Sequence, residues 1–112
     1  MTDYKLAAKQ LKEERAFLMK ENKAIGQSMY ALHTAAIKDG VISAKNKELI
    51  ALGIAISTQC EGCMLAHIEG LISMGATLEE ISETVDVAIL MGGGPAVTYG
   101  GKAIAMYKAL SA

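Results

Sequence analysis

Residues 47–71 read KELIALGIAISTQCEGCMLAHIEGL, and this stretch decides the fold. The segment 49–56 is apolar on all sides of a helix, and read alone it would also suit a buried strand. Ser43 is a good helix N-cap, and the polar residues that follow it lengthen the segment beyond an ordinary strand. We therefore predict a central buried helix over residues 44–58.

A second helix follows almost at once, over residues 60–74. Thr58 or Gln59 is expected to open it. Gly75 is expected to end it, because glycine tolerates the left-handed conformation common after a helix C-terminus. The short turn between the two helices would let them pack antiparallel.

Helical periodicity predicts four further helices. The first covers residues 3–20. The second runs from a cap at Asn22 to about Lys38, and Asp39-Gly40 ends it, because glycine tolerates the left-handed cap conformation. The fifth begins in the capping box Thr77-Leu78-Glu79-Glu80. The last follows the Gly92-Gly93-Gly94 break, has Pro95 in its first turn and reaches about Leu110. The prediction is an all-α domain of about six helices that spans residues 1–112.

The core must be built almost without aromatic side chains. Of the 112 residues 52% are hydrophobic, but only 4% are aromatic and Trp is absent, so Ala, Leu, Ile, Val and seven Met must fill it. A chain of this length buries only about two-thirds of the surface that it exposes when unfolded. So high an apolar content indicates that some apolar surface is buried between subunits.

Charge and hydropathy argue against two classes of partner. The net charge is −1 and the pI is about 6.1, so neither nucleic acid nor an anionic membrane is indicated. The longest charge-free stretches, Leu49–Cys60 and Val87–Gly101, are shorter than the ~20 apolar residues that cross a bilayer. The charged N-terminus lacks the apolar region of a secretory signal, so we expect a cytoplasmic protein, in which two cysteines are poor structural staples.

The chemistry is expected at the pair Cys60-Glu61-Gly62-Cys63, at the predicted start of a helix. A helix N-terminus carries a partial positive charge, which stabilises a thiolate over a thiol. The thiolate is the form that attacks disulfides and peroxides. Two-residue spacing also lets the sulfur atoms close a disulfide across one turn, so the pair indicates redox chemistry.

Two further side chains can reach this pair. His67 follows Cys63 by one helical turn, so it shares a face with both cysteines and can take a proton from a thiol. Glu48 lies on the preceding predicted helix, and an antiparallel turn would bring it back to the cysteines. A carboxylate next to so apolar a segment is unusual, and it is explained if Glu48 orients His67 or relays its proton.

Other interpretations of these four residues stay open. Cys60, Cys63, His67 and Glu48 are also four plausible Zn²⁺ ligands, although structural zinc sites more often use two separated Cys/His pairs. The cysteines could also be inert buried thiols. His67 alone is more often a hydrogen-bonded core histidine, and Glu48 alone is more often a solvated residue at a helix start.

The pattern Glu48-x11-Cys60-x2-Cys63-x3-His67 resembles the core motif of the alkylhydroperoxidase D-like proteins, within the carboxymuconolactone decarboxylase superfamily. Three flanking segments agree with the motif. They are residues 47–52, 66–70 and 75–81. The resemblance covers about residues 25–110, and four spaced residues with their flanks make it far more specific than two cysteines alone.

The resemblance implies an alkylhydroperoxidase D-like helical fold with a central buried helix pair, in subunits that assemble as homotrimers or homohexamers. It also implies a thiol-dependent peroxidase or disulfide reductase without a bound cofactor or metal. Glu48 and His67 would form a proton relay. Cys63 would attack a hydroperoxide or disulfide substrate, Cys60 would resolve, and an external dithiol or redox protein would return the electrons. Helix-end electrostatics favour Cys60 as the lower-pKa thiol, so the order of attack stays open.

One position departs from the family pattern. The best-known member has a second histidine immediately before its second cysteine, where this chain has Gly62. The departure weakens the case for a relay between the cysteines, whereas general disulfide exchange needs less machinery. The superfamily also contains decarboxylases of a lactone acid. Those do not rely on a cysteine pair, so they remain an alternative in a different reaction class.

Three remaining features are given structural roles. The glycine run 92–94 lacks the pattern of a phosphate-binding loop and is interpreted as a helix break. Tyr99 and His33 correspond by position to the family pocket, but packing is the role we predict for both.

Overall fold

The computed structural model describes all residues from 1 to 112 and consists of six α-helices with no strand. The helices are α1 (Tyr4–Glu21), α2 (Lys23–Ile37), α3 (Ala44–Ser57), α4 (Glu61–Ser73), α5 (Leu78–Gly92) and α6 (Gly94–Leu110). The predicted all-α class and the six helices are confirmed. The apolar run 49–56 lies within α3, so it is helical and not a strand.

Helices α3 and α4 form the centre of the molecule. Leu52 and Ile56 of α3 are fully buried, as are Met64, Ile68 and Leu71 of α4. Helices α5 and α6 pack against each other and against this pair, and they complete one continuous apolar core. The central buried helix pair is therefore confirmed, and its core is built from Leu, Ile and Met side chains.

The connection between α3 and α4 differs from the prediction. Thr58 is the C-cap of α3, and Gln59 adopts a left-handed conformation with φ +59°. The amide of Gln59 donates to Ile56 O at 3.2 Å and that of Cys60 to Ala55 O at 3.0 Å, which is a Schellman motif. Neither Thr58 nor Gln59 opens α4, because Cys60 itself is the N-cap of that helix.

The predicted caps of the other helices are mostly confirmed. The Ser43 hydroxyl accepts from Asn46 N, and Thr77 and Glu80 form both hydrogen bonds of a capping box. Gly75, with φ +78°, ends α4, and Pro95 lies in the first turn of α6.

The ends of α1 and α2 need correction. Asn22 does stand between these helices, but its side chain makes no capping hydrogen bond. The end of α2 does not use a left-handed glycine, because Lys38 caps it in an extended conformation and Gly40 has no positive φ. Here Asp39 instead accepts a hydrogen bond from Ala44 N, so the loop is organised by the helix that follows.

Two apolar faces remain uncovered by the rest of the chain. One lies on α2 and carries Ile25, Met29 and Leu32. The other, which we call the α3/α5 groove, is a depression of about 430 Å³ lined by Leu49, Ile50, Gly53, Ile54, Ser57, Thr84, Val87, Ala88 and Met91. Although these faces are apolar, none of the helices is long and apolar enough to cross a bilayer.

Candidate functional site

Glu48 is the only charged residue in the buried set, and only 5% of its side chain is exposed. It lies in the first half of α3, on the side of the helix that faces α2 and α4. A carboxylate loses much of its hydration there, so it requires hydrogen-bonding or charged partners. The imidazole of His67 supplies a hydrogen bond, and the imidazole of His33 lies close by.

His67 of α4 is the nearer partner. Its Nδ1–H donates to Glu48 Oε2 at 2.7 Å, and 20% of the side chain is exposed. This hydrogen bond fixes the ring orientation and, in the neutral imidazole, favours the tautomer with the proton on Nδ1 and the lone pair on Nε2. The predicted pairing of Glu48 with His67 is present in the structure.

His33 of α2 is the second partner, and its position corrects the prediction of a packing role. Its side chain is 55% exposed, and its Nε2 lies 3.7 Å from Glu48 Oε1. The ring stacks on that of His67, with centroids 6.3 Å apart and planes inclined by 18°. A signal for this contact exists in the sequence, because His33 and Glu48 are equally far from the two ends of the loop 38–43. Tyr99, in contrast, packs against the core as predicted.

The cysteines lie at the junction of α3 and α4. Cys60 and Cys63 are joined as a disulfide with Cα atoms 5.2 Å apart, within the usual range of about 4.4–6.8 Å. The Cys60 sulfur also accepts a hydrogen bond from Cys63 N at 3.2 Å. One sulfur atom therefore acts as both a disulfide partner and the helix cap, which places it where the helix dipole stabilises negative charge.

A cavity of about 560 Å³ connects Cys63 to the imidazole–carboxylate group. Cys63, His67, Glu48 and His33 line it, whereas Cys60 does not. The rest of the wall is mostly apolar, with one cation and one phenol. These lining residues are Arg15, Leu18, Met19, Gly26, Met29, Tyr30, Ala66 and Gly70. Cys63 is thus the cysteine that shares a chamber with the acid–base pair.

Gly62, the departure from the family pattern, lies under α1. A Cβ atom at this position would be 3.3 Å from Leu11 Cδ1, which is tighter than most real contacts. A larger side chain here would require the Leu11 side chain to shift. Glycine at this position therefore suits the close packing of Leu11 against the first turn of α4.

A cation lies near the first turn of α4. Lys102 of α6 forms an ion pair with Glu61 at 3.1 Å, and this hydrogen bond raises the pKa of Lys102 above its ordinary 10.5. The pair ties α6 to the residue that follows Cys60, so it helps to hold the helix tip that carries the cysteines.

The structure brings together a different set of possible zinc ligands from the four residues considered in the sequence. Cys60 and Cys63 bond to each other and are not directed at a common point with Glu48 and His67. The ligand atoms that do converge belong to His33, Glu48 and His67, all within 4.8 Å of one another. The four-ligand set expected from the sequence is therefore not the set that the fold assembles.

The fold and the site agree with a known family. Residues 23–105 match the model of the carboxymuconolactone decarboxylase family, and the chain belongs to this family. An uncharacterized protein of Cupriavidus necator is 33% identical over 111 residues, which are 99% of this chain and 98% of that protein.

Two solved structures share the architecture. The crystal structure of an apo carboxymuconolactone decarboxylase family protein from Legionella pneumophila is 35% identical and has a TM-score of 0.94; the match covers 99% of this chain and all of that chain. A family protein from Thermotoga maritima is 24% identical with a TM-score of 0.78, over 97% of this chain and 90% of that chain, and it shows the same fold. The predicted family membership is confirmed.

Proposed function

We propose that this protein is a thiol-dependent oxidoreductase that reduces hydroperoxides or disulfides through Cys60 and Cys63. One observation carries the proposal: Cys63 and the hydrogen-bonded Glu48–His67 pair line the same cavity. A thiol needs a base to become the reactive thiolate, and an imidazole oriented by a carboxylate is such a base. No bound cofactor is needed, because the two thiols supply both electrons.

The catalytic cycle begins with the reduced pair. His67 Nε2 takes the proton of the Cys63 thiol, and Glu48 stabilises the imidazolium through Nδ1–H. The Cys63 thiolate attacks the distal oxygen of a hydroperoxide, the O–O bond breaks, and the leaving alkoxide takes a proton to become an alcohol. Cys63 is left as a sulfenic acid.

Cys60 closes the cycle. Its sulfur, stabilised as a thiolate at the N-terminus of α4, attacks the sulfenic sulfur; a disulfide forms and water leaves. An external dithiol or redox protein then reduces the disulfide by thiol–disulfide exchange. A protein disulfide as substrate would follow the same path without the sulfenic acid. The need for re-reduction in each turnover favours a cytoplasmic location, where reductants are abundant.

Mass spectrometry of the reduced protein tests this function. After one equivalent of hydroperoxide, the wild type should lose about 2 Da from the peptide that contains residues 60–63. Cys60→Ser should stop at a sulfenic acid on Cys63, which dimedone would trap. Cys63→Ser should react slowly or not at all.

Three results would contradict or redirect the proposal. Full peroxide and disulfide reduction by both single variants would overturn it. If a sulfenic acid forms on Cys60 in Cys63→Ser as fast as the wild type reacts with hydroperoxide, then Cys60 is the attacking cysteine and Cys63 the resolving one. Decarboxylation of a lactone acid by the double Cys→Ser variant would indicate the carbon chemistry for which the family is named.

The proposal includes assembly of the chain with itself, as a homotrimer or homohexamer. Support comes from the large apolar side chains that the single chain leaves exposed on α2 and along the α3/α5 groove. Monomeric proteins seldom expose contiguous apolar surface on this scale, so a second copy is the expected cover.

A further inference from the structure

We propose that His33, Glu48 and His67 bind a divalent transition-metal ion, with Zn²⁺ the best match. The buried carboxylate of Glu48 lies between two imidazole rings. Its Oε2 is 2.7 Å from His67 Nδ1, and its Oε1 is 3.7 Å from His33 Nε2. One ligand atom from each residue lies within 4.8 Å of the others, so a short movement of these side chains would let a single ion contact all three.

The donor set favours zinc over the hard cations. Two neutral imidazole nitrogens and one carboxylate oxygen suit Zn²⁺, whereas Mg²⁺ and Ca²⁺ prefer sites made of oxygen atoms alone. Zinc sites with three protein ligands leave the fourth position to water. Here that position would open into the cavity of about 560 Å³, which has room for the water.

The geometry requires small movements of the ligands. Ligand atoms in a tetrahedral zinc site are separated by roughly 3.4 Å, given Zn–N and Zn–O bonds of about 2.0–2.2 Å. The 2.7 Å between His67 Nδ1 and Glu48 Oε2 must widen as the ion replaces the hydrogen bond, and His33, whose ligand atom lies within 4.8 Å of the others, must move inward. The side chain of His33 is 55% exposed and free to rotate toward the carboxylate.

The cysteines take no part in this site. They are joined to each other, and Cys60 does not line the cavity. Zinc should therefore bind the oxidised protein with its disulfide intact. This property separates the site from a zinc centre built on the Cys-x-x-Cys pair, which would need both thiolates.

Metal binding would also control the thiol chemistry, a consequence that rests on the proposed function. The ion takes the Nδ1 lone pair of His67, and the proton that Nδ1 carried passes to Nε2 of the same ring. Nε2 then has no lone pair for the Cys63 proton. Zinc should consequently act as a reversible inhibitor of peroxide or disulfide reduction.

Isothermal titration calorimetry of the oxidised full chain with Zn²⁺ tests the binding. We expect one ion per chain, and affinity at least roughly tenfold weaker in His33→Ala and His67→Ala. The double Cys60→Ser/Cys63→Ser variant should bind as the wild type does. Tyr30→Ala is the matched control, since Tyr30 lines the same cavity but offers no imidazole or carboxylate. Cobalt(II) should give the visible bands of a tetrahedral nitrogen–oxygen site without a thiolate charge-transfer band.

Two binding results would overturn the proposal: no saturable binding to the oxidised wild type, or wild-type affinity in His33→Ala. Because the His33 side chain is half exposed, its loss should not prevent folding, and circular dichroism checks this for His67→Ala. Loss of zinc binding in the double cysteine variant would also overturn the proposal, because it would show that the cysteines are the zinc ligands. If peroxide and disulfide reduction are absent altogether, the proposed function fails while the titration still decides the metal site.

Discussion

At the scale of single residues, the candidate site is arranged around the buried carboxylate of Glu48. A carboxylate that is 95% removed from solvent would be strongly unfavourable alone, and the hydrogen bond with the His67 imidazole offsets this cost. In the proposed cycle the same hydrogen bond orients the imidazole that shares a cavity with Cys63. If the proposal holds, stability and reactivity depend on the same hydrogen bond.

Glu48→Gln should separate these two roles. The amide keeps the volume and can still hydrogen-bond, but it cannot stabilise an imidazolium, so we expect peroxide or disulfide reduction to fall at least roughly tenfold. Steady-state kinetics with circular dichroism as a folding check measures this. Glu69→Gln is the matched control, because Glu69 is on α4 near His67 but pairs with Lys12 outside the cavity. Equal activity in the two variants would argue against the relay.

Part of this candidate site can be predicted from the sequence. The spacing of Glu48, Cys60, Cys63 and His67 predicts that they lie together, and the structure places all of them except Cys60 around one cavity. Residue type alone predicts a packing role for His33; its approach to Glu48 is indicated only by the equal distances of the two residues from the ends of the loop 38–43. Cys60 was not predicted as a cap, since capping preferences favour hydroxyl, amide and carboxylate side chains over a thiol.

At the scale of helices, the approach of α5 to α6 depends on Gly100. A Cβ atom there would lie 2.5 Å from Val85 Cγ1, which is a clash with a buried side chain. Gly100→Ala should therefore lower the free energy of unfolding by about 1–3 kcal/mol, measured by chemical denaturation.

The neighbouring glycine supplies the control for this prediction. Gly101 is also in α6, and a Cβ atom there meets nothing within 4 Å. Gly101→Ala should be neutral or stabilise by up to about 1 kcal/mol, because alanine favours the helix. Val85→Ala should remove most of the penalty in the Gly100→Ala background. Equal effects of both glycine substitutions would show that helix propensity, and not packing, decides the result.

The start of α5 should be sensitive to acid. Glu80 pairs with Lys45 at 2.7 Å and closes the capping box with Thr77, and these hydrogen bonds lower its pKa below the ordinary 4.5. A carboxyl whose pKa is lower in the folded state adds stability above its unfolded pKa, and this stability is lost as the pH falls through the lower folded value.

Denaturation of Glu80→Gln across the pH range tests that linkage. The variant should be less stable than the wild type above pH 4.5, and the difference should shrink as the solution becomes more acidic. Glu79→Gln is the control, because Glu79 lies in the same turn without an ion pair. A difference that stays constant with pH would exclude the ionised form of Glu80 as its source.

Helices were predicted better than the turns between them. Apolar periodicity and the signals at Ser43, Thr77 and Pro95 place α3, α5 and α6 to within a residue or two. Two turn predictions are wrong, because residue identity alone does not determine the backbone conformation of a short connection. Gln59 is left-handed although it is not glycine, since two backbone hydrogen bonds stabilise the turn. Gly40 is not left-handed, since a glycine after a helix need not adopt that conformation.

At the scale of the whole molecule, the uncovered apolar faces predict self-association. Ile54 and Val87 line the α3/α5 groove and are both more than half exposed. The wild type should elute as a trimer or hexamer in light scattering coupled to size exclusion, and Ile54→Asp with Val87→Asp should shift it to a smaller species. Val41→Asp, in the loop outside the groove, is the control. A monomeric wild type would contradict the prediction.

The connection at Thr58–Cys60 has a consequence for how this chain can change in length. One inserted residue at Gln59 would break the two backbone hydrogen bonds that fix the start of α4 against the end of α3. One inserted residue inside α4, between Cys63 and His67, would turn His67 by about 100° away from the side that faces Glu48, although every side chain were unchanged. Insertions and deletions between Glu48 and His67 should therefore disturb the site more than those in the loop 38–43. In this fold the number of residues in that interval matters as much as their identities.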